Sequence, residues 1–150
     1  MQVQQSIQVI APIVSLPPTA LEIVQQVYAR FTEGNLNGFL DLCADDIEWV
    51  VNGPVALVKC QTFRGKSGVS DFLDILSNTW KFHTFTPQQF IQNGLTVVVI
   101  GEETGIDQQF NQPFQNRWVH VFDVEQQQIV RFREFLCHWA GEQQPPQMGW

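Results

Sequence analysis

The sequence predicts an α+β domain in which a curved antiparallel sheet wraps around three helices on one of its faces. Three observations carry this reading. Apolar residues recur at helical spacing in the first half of the chain, strand-type patterning dominates the second half, and Asn93-Gly94 sits between two of those strands as a hairpin turn. The predicted order is helix, helix, strand, helix and four strands, with short links that favour antiparallel neighbours.

Residues 1–18 are Gln-rich, then apolar, and close on Pro17-Pro18, which marks a boundary; they read as an N-terminal arm. The domain proper spans 19–140. Thr19 with Glu22 forms a capping-box pattern, and Leu21, Val24, Val27, Tyr28 and Phe31 follow at helical spacing until Gly34. A short second helix is expected over 35–44, feeding a strand over 47–51 that ends at Gly53-Pro54. Ser67 is the expected N-cap of a third helix, in which Val69, Phe72, Leu73, Ile75 and Leu76 make the apolar face up to about Trp80. Four strands are expected over 82–92, 95–104, 114–124 and 129–138, and the tail 141–150, with Pro145-Pro146, reads as a flexible end.

Composition narrows the function classes. With 44% hydrophobic and only 15% charged residues, the chain can build one core and still line an apolar cavity. Eight Lys and Arg against fifteen Asp and Glu give a formal charge of -7, which repels nucleic-acid backbones and anionic membranes. The three cysteines, Cys43, Cys60 and Cys137, show no zinc spacing and suit reduced thiols, so a cytoplasmic protein is expected. Phosphate-loop, dinucleotide-binding, H-E-x-x-H and G-x-S-x-G motifs are missing from the sequence, so no cofactor and no metal are expected.

The last two strands carry the chemistry. A three-residue loop over 126–128 brings their bulky faces into coincidence: His120 then opposes Glu134, Phe122 opposes Phe132, and Asp123 opposes Arg131. A two-residue loop would instead set His120 against Arg133. The three-residue register places an imidazole and a carboxylate together on an inward aromatic face, where each answers the other's desolvation. Such a pair is a common acid/base unit, and it can equally be a satisfied polar spot in a core. On the preceding strand, alternation with Val98 and Ile100 points Glu102 inward, while Tyr28 and Trp49 are further donors that could face a ligand.

The run from Phe31 to Leu40, Ala44-Asp45-Asp46 before a strand, Phe63-Arg64-Gly65-Lys66-Ser67-Gly68-Val69 and Ile129 to Phe135 together resemble the nuclear-transport-factor-2-like superfamily. Within it the chain is most similar, over about 19–140, to SnoaL-like, ketosteroid-isomerase-related proteins. The resemblance implies a cone-shaped α+β barrel with a deep apolar pocket. The steroid isomerases' catalytic tyrosine would fall at Val27, their base near Val51 or Asn52, and their oxyanion-hole acid at Trp118, so that mechanism is not expected. The water-activating aspartate of limonene epoxide hydrolase matches Glu134 in kind, but that enzyme's partner Arg and Asp fall near Glu102 and Thr104. SnoaL-like cyclases use a carboxylate on the last strand, compatible with Glu134, with His120 as helper; Cys137 stands where many relatives carry an acid.

The resulting expectation is a cofactor-independent pocket protein, a lyase, isomerase or hydrolase acting on an apolar oxygenated compound. Glu134 and His120 are its catalytic pair, and Trp118, Phe122, Phe132, Glu102, Tyr28 and Asn52 line its pocket. The alternative is a non-catalytic binding module for a polyketide-like or isoprenoid-like ligand. On the outer sheet face, Val119, Val121, Ile129 and Phe135 alternate with Arg117, Asp123, Arg131 and Arg133, an apolar centre rimmed by charge that fits a homodimer or a cover formed by the arm.

Overall fold

The computed structural model describes residues 16–140, so the expected arm, apart from its last three residues, and the tail lie outside the described residues. Helix α1 (Ala20–Glu33) starts where the capping box sets it: Thr19 Oγ1 accepts from the Glu22 N–H at 3.1 Å while Glu22 Oε1 accepts from the Thr19 N–H at 3.4 Å. Gly34, at φ 70°, adopts the left-handed conformation that ends it. Helix α2 (Leu36–Asp41) is shorter than expected, because the carbonyl of Leu42 accepts from the Ile129 N–H at 2.7 Å and draws the chain into strand β1 (Cys43–Asn52). Sheet pairing there overrides local helical spacing.

A three-residue strand, β2 (Thr62–Arg64), leads directly into α3 (Gly65–Thr79). It was too short to show a period in the sequence. Because Arg64 is held against Glu48 by β1–β2 pairing, the helix begins there, without a side-chain cap, and Ser67 lies inside it rather than capping it. Strands β3 (Trp80–Asn93), β4 (Thr96–Asp107), β5 (Gln112–Glu125) and β6 (Gln128–Ala140) complete a single sheet of order β2-β1-β6-β5-β4-β3. The sheet is mixed, not wholly antiparallel: β1 runs parallel to β6, with Trp49 beside Phe132 and Val51 beside Glu134. The long stretch of α3, β3, β4 and β5 between them is the crossover that a parallel neighbour requires.

Two turns differ from expectation by one residue. Asn93 pairs with Thr96, so the β3–β4 loop is Gly94-Leu95, with Gly94 at φ 62° in the first central position. In the last hairpin the central register is as expected, with His120 opposite Glu134, Phe122 opposite Phe132 and Asp123 opposite Arg131. The loop, however, is the two-residue Gln126-Gln127, both at positive φ, and a β-bulge at Val130 restores the register because Val124 pairs with Ile129. The bulge also reverses the side of Ile129, which is fully buried in the core instead of lying on the outer face.

Candidate functional site

The concave face of β4, β5 and β6 and the apolar faces of α1 and α3 enclose a cavity of about 50 Å³, room for a few water-sized groups. Its walls are chiefly aromatic and aliphatic, with five polar side chains: Tyr28, Lys59, Glu103, His120 and Glu134. A wider vestibule of about 370 Å³, bordered by Arg30, Asn35, Asp74 and Ser77, shares Phe31, Phe39, Leu73, Leu76 and Phe82 with the inner chamber.

At the back of the chamber, His120 Nε2 lies 2.7 Å from Glu134 Oε2, with the two residues only 5% and 4% exposed. The other imidazole nitrogen, Nδ1, lies 2.7 Å from the hydroxyl of Tyr28 on α1. Burial pushes the Glu134 carboxyl up, but the His120 imidazole, its hydrogen bond and the Lys59 ammonium outweigh burial and hold it below the usual carboxylate range. Burial, reinforced by the Glu134 charge, keeps the Tyr28 phenol protonated. An ionised carboxylate only accepts, so Nε2 donates to Glu134, and the Tyr28 hydroxyl, which can donate or accept, shares the second hydrogen bond with Nδ1. The ring is also clamped by packing: Trp118 stacks on it at 3.8 Å between centroids, 9° from parallel, and Phe132 meets it edge-on at 4.9 Å.

A second polar pair faces the same cavity. Lys59 arrives from the loop between β1 and β2, and its Nζ lies 3.6 Å from Glu103 Oε2; each residue is 1% exposed. Asn116 Nδ2 donates to the same Glu103 oxygen at 2.9 Å. Burial raises the Glu103 carboxyl, and Glu134 adds to this, against the opposing pull of Lys59. Burial alone would lower the Lys59 ammonium, but Glu103 and Glu134 more than reverse that and keep it charged. The loop carrying Lys59 is gripped by Gln109 from the β4–β5 turn, whose Nε2 donates to the Ala56 carbonyl at 2.7 Å and whose Oε1 accepts from the Val58 N–H at 3.2 Å.

Of the side chains expected at the site, Glu134, His120, Tyr28, Phe122 and Phe132 line the cavity. Trp118 is buried behind His120, as its support rather than a lining residue. Two further placements differ from expectation. Glu102 faces away from the cavity and Glu103 takes the inward place. Both faces of β4 are apolar, so alternation alone could not choose; pairing with β5 decides, aligning Val99 with His120, Gly101 with Trp118 and Glu103 with Asn116. Asn52 is exposed, and its Nδ2 donates to the Glu134 carbonyl at 3.0 Å; the inward position beside Glu134 belongs to Val51. Lys59 had no periodic signal in a loop, and its only trace in the sequence is a lone charge within Val55-Ala56-Leu57-Val58-Lys59-Cys60. Among the described residues no cluster of three or more His, Cys, Asp or Glu could hold a metal ion, and no helix is long and apolar enough to cross a membrane.

The SnoaL-like domain model matches residues 24–132, which include His120 and most of the cavity lining and end two residues before Glu134. This chain belongs to the SnoaL-like domain family. Its α+β architecture is that of the nuclear-transport-factor-2-like superfamily: an NTF2-like protein from Burkholderia xenovorans LB400 is 27% identical, with a TM-score of 0.73 over 80% of this chain and 92% of that one. TerC, solved after co-crystallisation with polyporic acid, is 22% identical at a TM-score of 0.69, covering 79% of this chain and 91% of TerC. A candidate SnoaL-like polyketide cyclase from Mesorhizobium loti is 17% identical at 0.64, covering 79% and 99%. No curated protein matches the chain. In this SnoaL-like domain the polar groups converge from α1, β4, β5, β6 and the β1–β2 loop, so the cavity exists only when all of them are in place.

Proposed function

We propose that this SnoaL-like protein is a cofactor-independent proton-transfer enzyme, an isomerase, cyclising lyase or hydrolase, acting on a small apolar oxygenated compound. Glu134 is the acid/base, and His120 orients it and shares its proton. The observation that carries the reading is the 2.7 Å contact between His120 Nε2 and Glu134 Oε2 on the wall of an otherwise apolar cavity. Held ionised by its neighbours, the carboxylate stands in its proton-accepting form at neutral pH and needs no prior deprotonation. The imidazole keeps it ionised and aimed, and Tyr28 fixes the imidazole. The unpaired state of all three cysteines agrees with a cytoplasmic setting.

Polyporic acid, the compound with which TerC was co-crystallised, is a suitable first probe because TerC shares this fold. Glu134→Gln keeps the shape of the side chain and removes its basicity. Loss of turnover, or of solvent-proton exchange into a bound enolisable ligand, with little loss of affinity supports proton transfer. Equal damage to both, or to neither, rejects it.

The competing reading is a binding module for a polyketide-like or isoprenoid-like ligand, favoured by the predominance of aromatic and aliphatic side chains around the chamber. Unchanged ligand recovered after prolonged incubation with the native protein would favour it. Either function is compatible with a homodimer through the outer sheet face, where Phe135 is 48% and Ile100 37% exposed beside Val119 and Val121. Arg133–Asp123 and Arg131–Glu48 ion pairs flank this patch. Light scattering tests it: a monomer mass at micromolar concentration rejects the dimer and leaves the arm as the cover.

A further inference from the structure

A separate cavity of about 280 Å³ lies where the loop between β1 and β2 meets the β4–β5 turn. Pro54, Leu57, Phe110 and Pro113 give it apolar walls, and the Phe110 ring is 47% exposed there. Among the described residues that border it, Asp107 is the one charged side chain, and it is only 2% exposed. Asp107 accepts from the Gln109 N–H at 2.8 Å and from the Phe110 N–H at 3.3 Å, and both bonds go to Oδ1. A carboxylate offers about four acceptor sites over its two oxygens, so Oδ2 has capacity for a donor brought by an occupant. An apolar slot with one buried acceptor is complementary to a large apolar group with one donor, which is the chemistry of an indole.

The chain carries such a group close to this place. Strand β6 ends at Ala140, opposite Phe114 on β5, so the same register continued would bring position 141 level with Pro113 and 142 level with Gln112, both on the cavity's border. Residues 141–150, outside the described residues, include Pro145-Pro146, Met148 and Trp150. Ten extended residues reach up to about 33 Å, several times the width of the cavity. We propose that this C-terminal segment folds back over the β4–β5 turn and seats Trp150 in the cavity, its indole N–H donating to Asp107 Oδ2. Pro145-Pro146 supplies the change of direction, and the covalent tether gives the indole a local concentration that a free partner does not reach. The seat also ties the turn to the loop that carries Lys59, because Ala56 and Leu57 border the cavity and Lys59 follows two residues after Leu57. It is independent of the chemistry assigned to Glu134.

Tryptophan fluorescence of the full chain tests this. Subtracting the emission of Trp150→Phe from that of the native protein leaves the contribution of Trp150, and acrylamide quenching of the two samples gives its accessibility. A seated Trp150 should emit at shorter wavelength than N-acetyltryptophanamide and be quenched several-fold less. Phe110→Ser removes an exposed wall of the cavity, and Ala56→Leu fills its space; both positions are at the surface, and circular dichroism verifies folding. Each background is paired with its own Trp150→Phe variant. Loss of the blue shift and of the shielding in either folded variant supports the proposal. A native Trp150 quenched as freely as the model compound overturns it, as does shielding that persists in both variants. Shielding that fades on dilution also overturns it, because the indole then comes from a second copy of the chain.

Discussion

Gly101 on β4 lies directly opposite Trp118 on β5, and the missing side chain of the one is the space occupied by the indole of the other. A Cβ at Gly101 would clash with Cη2 and Cζ2 of the indole and stand 2.7 Å from the carbonyl oxygen of Thr86, a backbone atom that cannot swing away. Trp118 in turn stacks on His120, so a glycine with no polar function fixes the imidazole that holds Glu134.

The first prediction follows from that chain of contacts. Gly101→Ala should destabilise the fold by about 1–3 kcal/mol through overpacking and shift the tryptophan fluorescence as Trp118 is displaced. Urea denaturation followed by fluorescence measures both. An unchanged midpoint and spectrum would show that β4 can move away from β5 without cost.

Tyr28→Phe removes the hydroxyl 2.7 Å from His120 Nδ1 and leaves a buried ring nitrogen without its partner. A cost of about 1–3 kcal/mol is expected. Because His120 can then rotate or change tautomer, the pH profile of turnover should also move, whereas a purely structural loss would lower stability and leave the profile in place. Equilibrium denaturation and the pH dependence of kcat, measured on the same preparation, separate the two outcomes.

The Glu134 carboxyl lies below its ordinary range in the folded protein, held there by His120 and Lys59 against burial. A group whose folded pKa is lowered stabilises the fold fully above its unfolded value and loses that contribution as pH falls through the folded one. The stability difference between the native protein and Glu134→Gln should therefore be largest near neutrality and shrink on acidification below the usual carboxylate range. Denaturation midpoints at a series of pH values test the sign; a difference that grows in acid contradicts it.

Gln109 grips the Lys59 loop by two hydrogen bonds to backbone groups, at Ala56 and Val58. Gln109→Ala should cost about 0.5–1.5 kcal/mol per bond at most and act locally. Amide exchange at Val58 should accelerate while the β5–β6 ladder stays protected. Uniform acceleration across the sheet would mean that the turn supports the whole fold.

The limits of alternation and periodicity fall at particular residues. Helix α1 was legible because its signals are local: Thr19 and Glu22 three residues apart, an apolar stripe, and Gly34 at the end. The His120–Glu134 pairing was legible because matching two bulky faces and one pair of opposite charges leaves one register in the middle of the hairpin. The bulge at Val130 was not, since a two-residue loop with one extra residue and a three-residue loop give the same central register.

The sequence by itself determined the α+β class, the family, the first helix, the paired strands and the acid/base candidates on the last hairpin, because each rests on residues close in the chain or on one hairpin's register. The tertiary structure alone decided that β1 runs parallel to β6, that Glu103 rather than Glu102 faces the cavity, and that Lys59 enters it from a loop. Those features depend on which distant surfaces meet. Side-chain period is two along any strand, so a strand apolar on both faces has no preferred side until its neighbour supplies one, and a loop has no period at all.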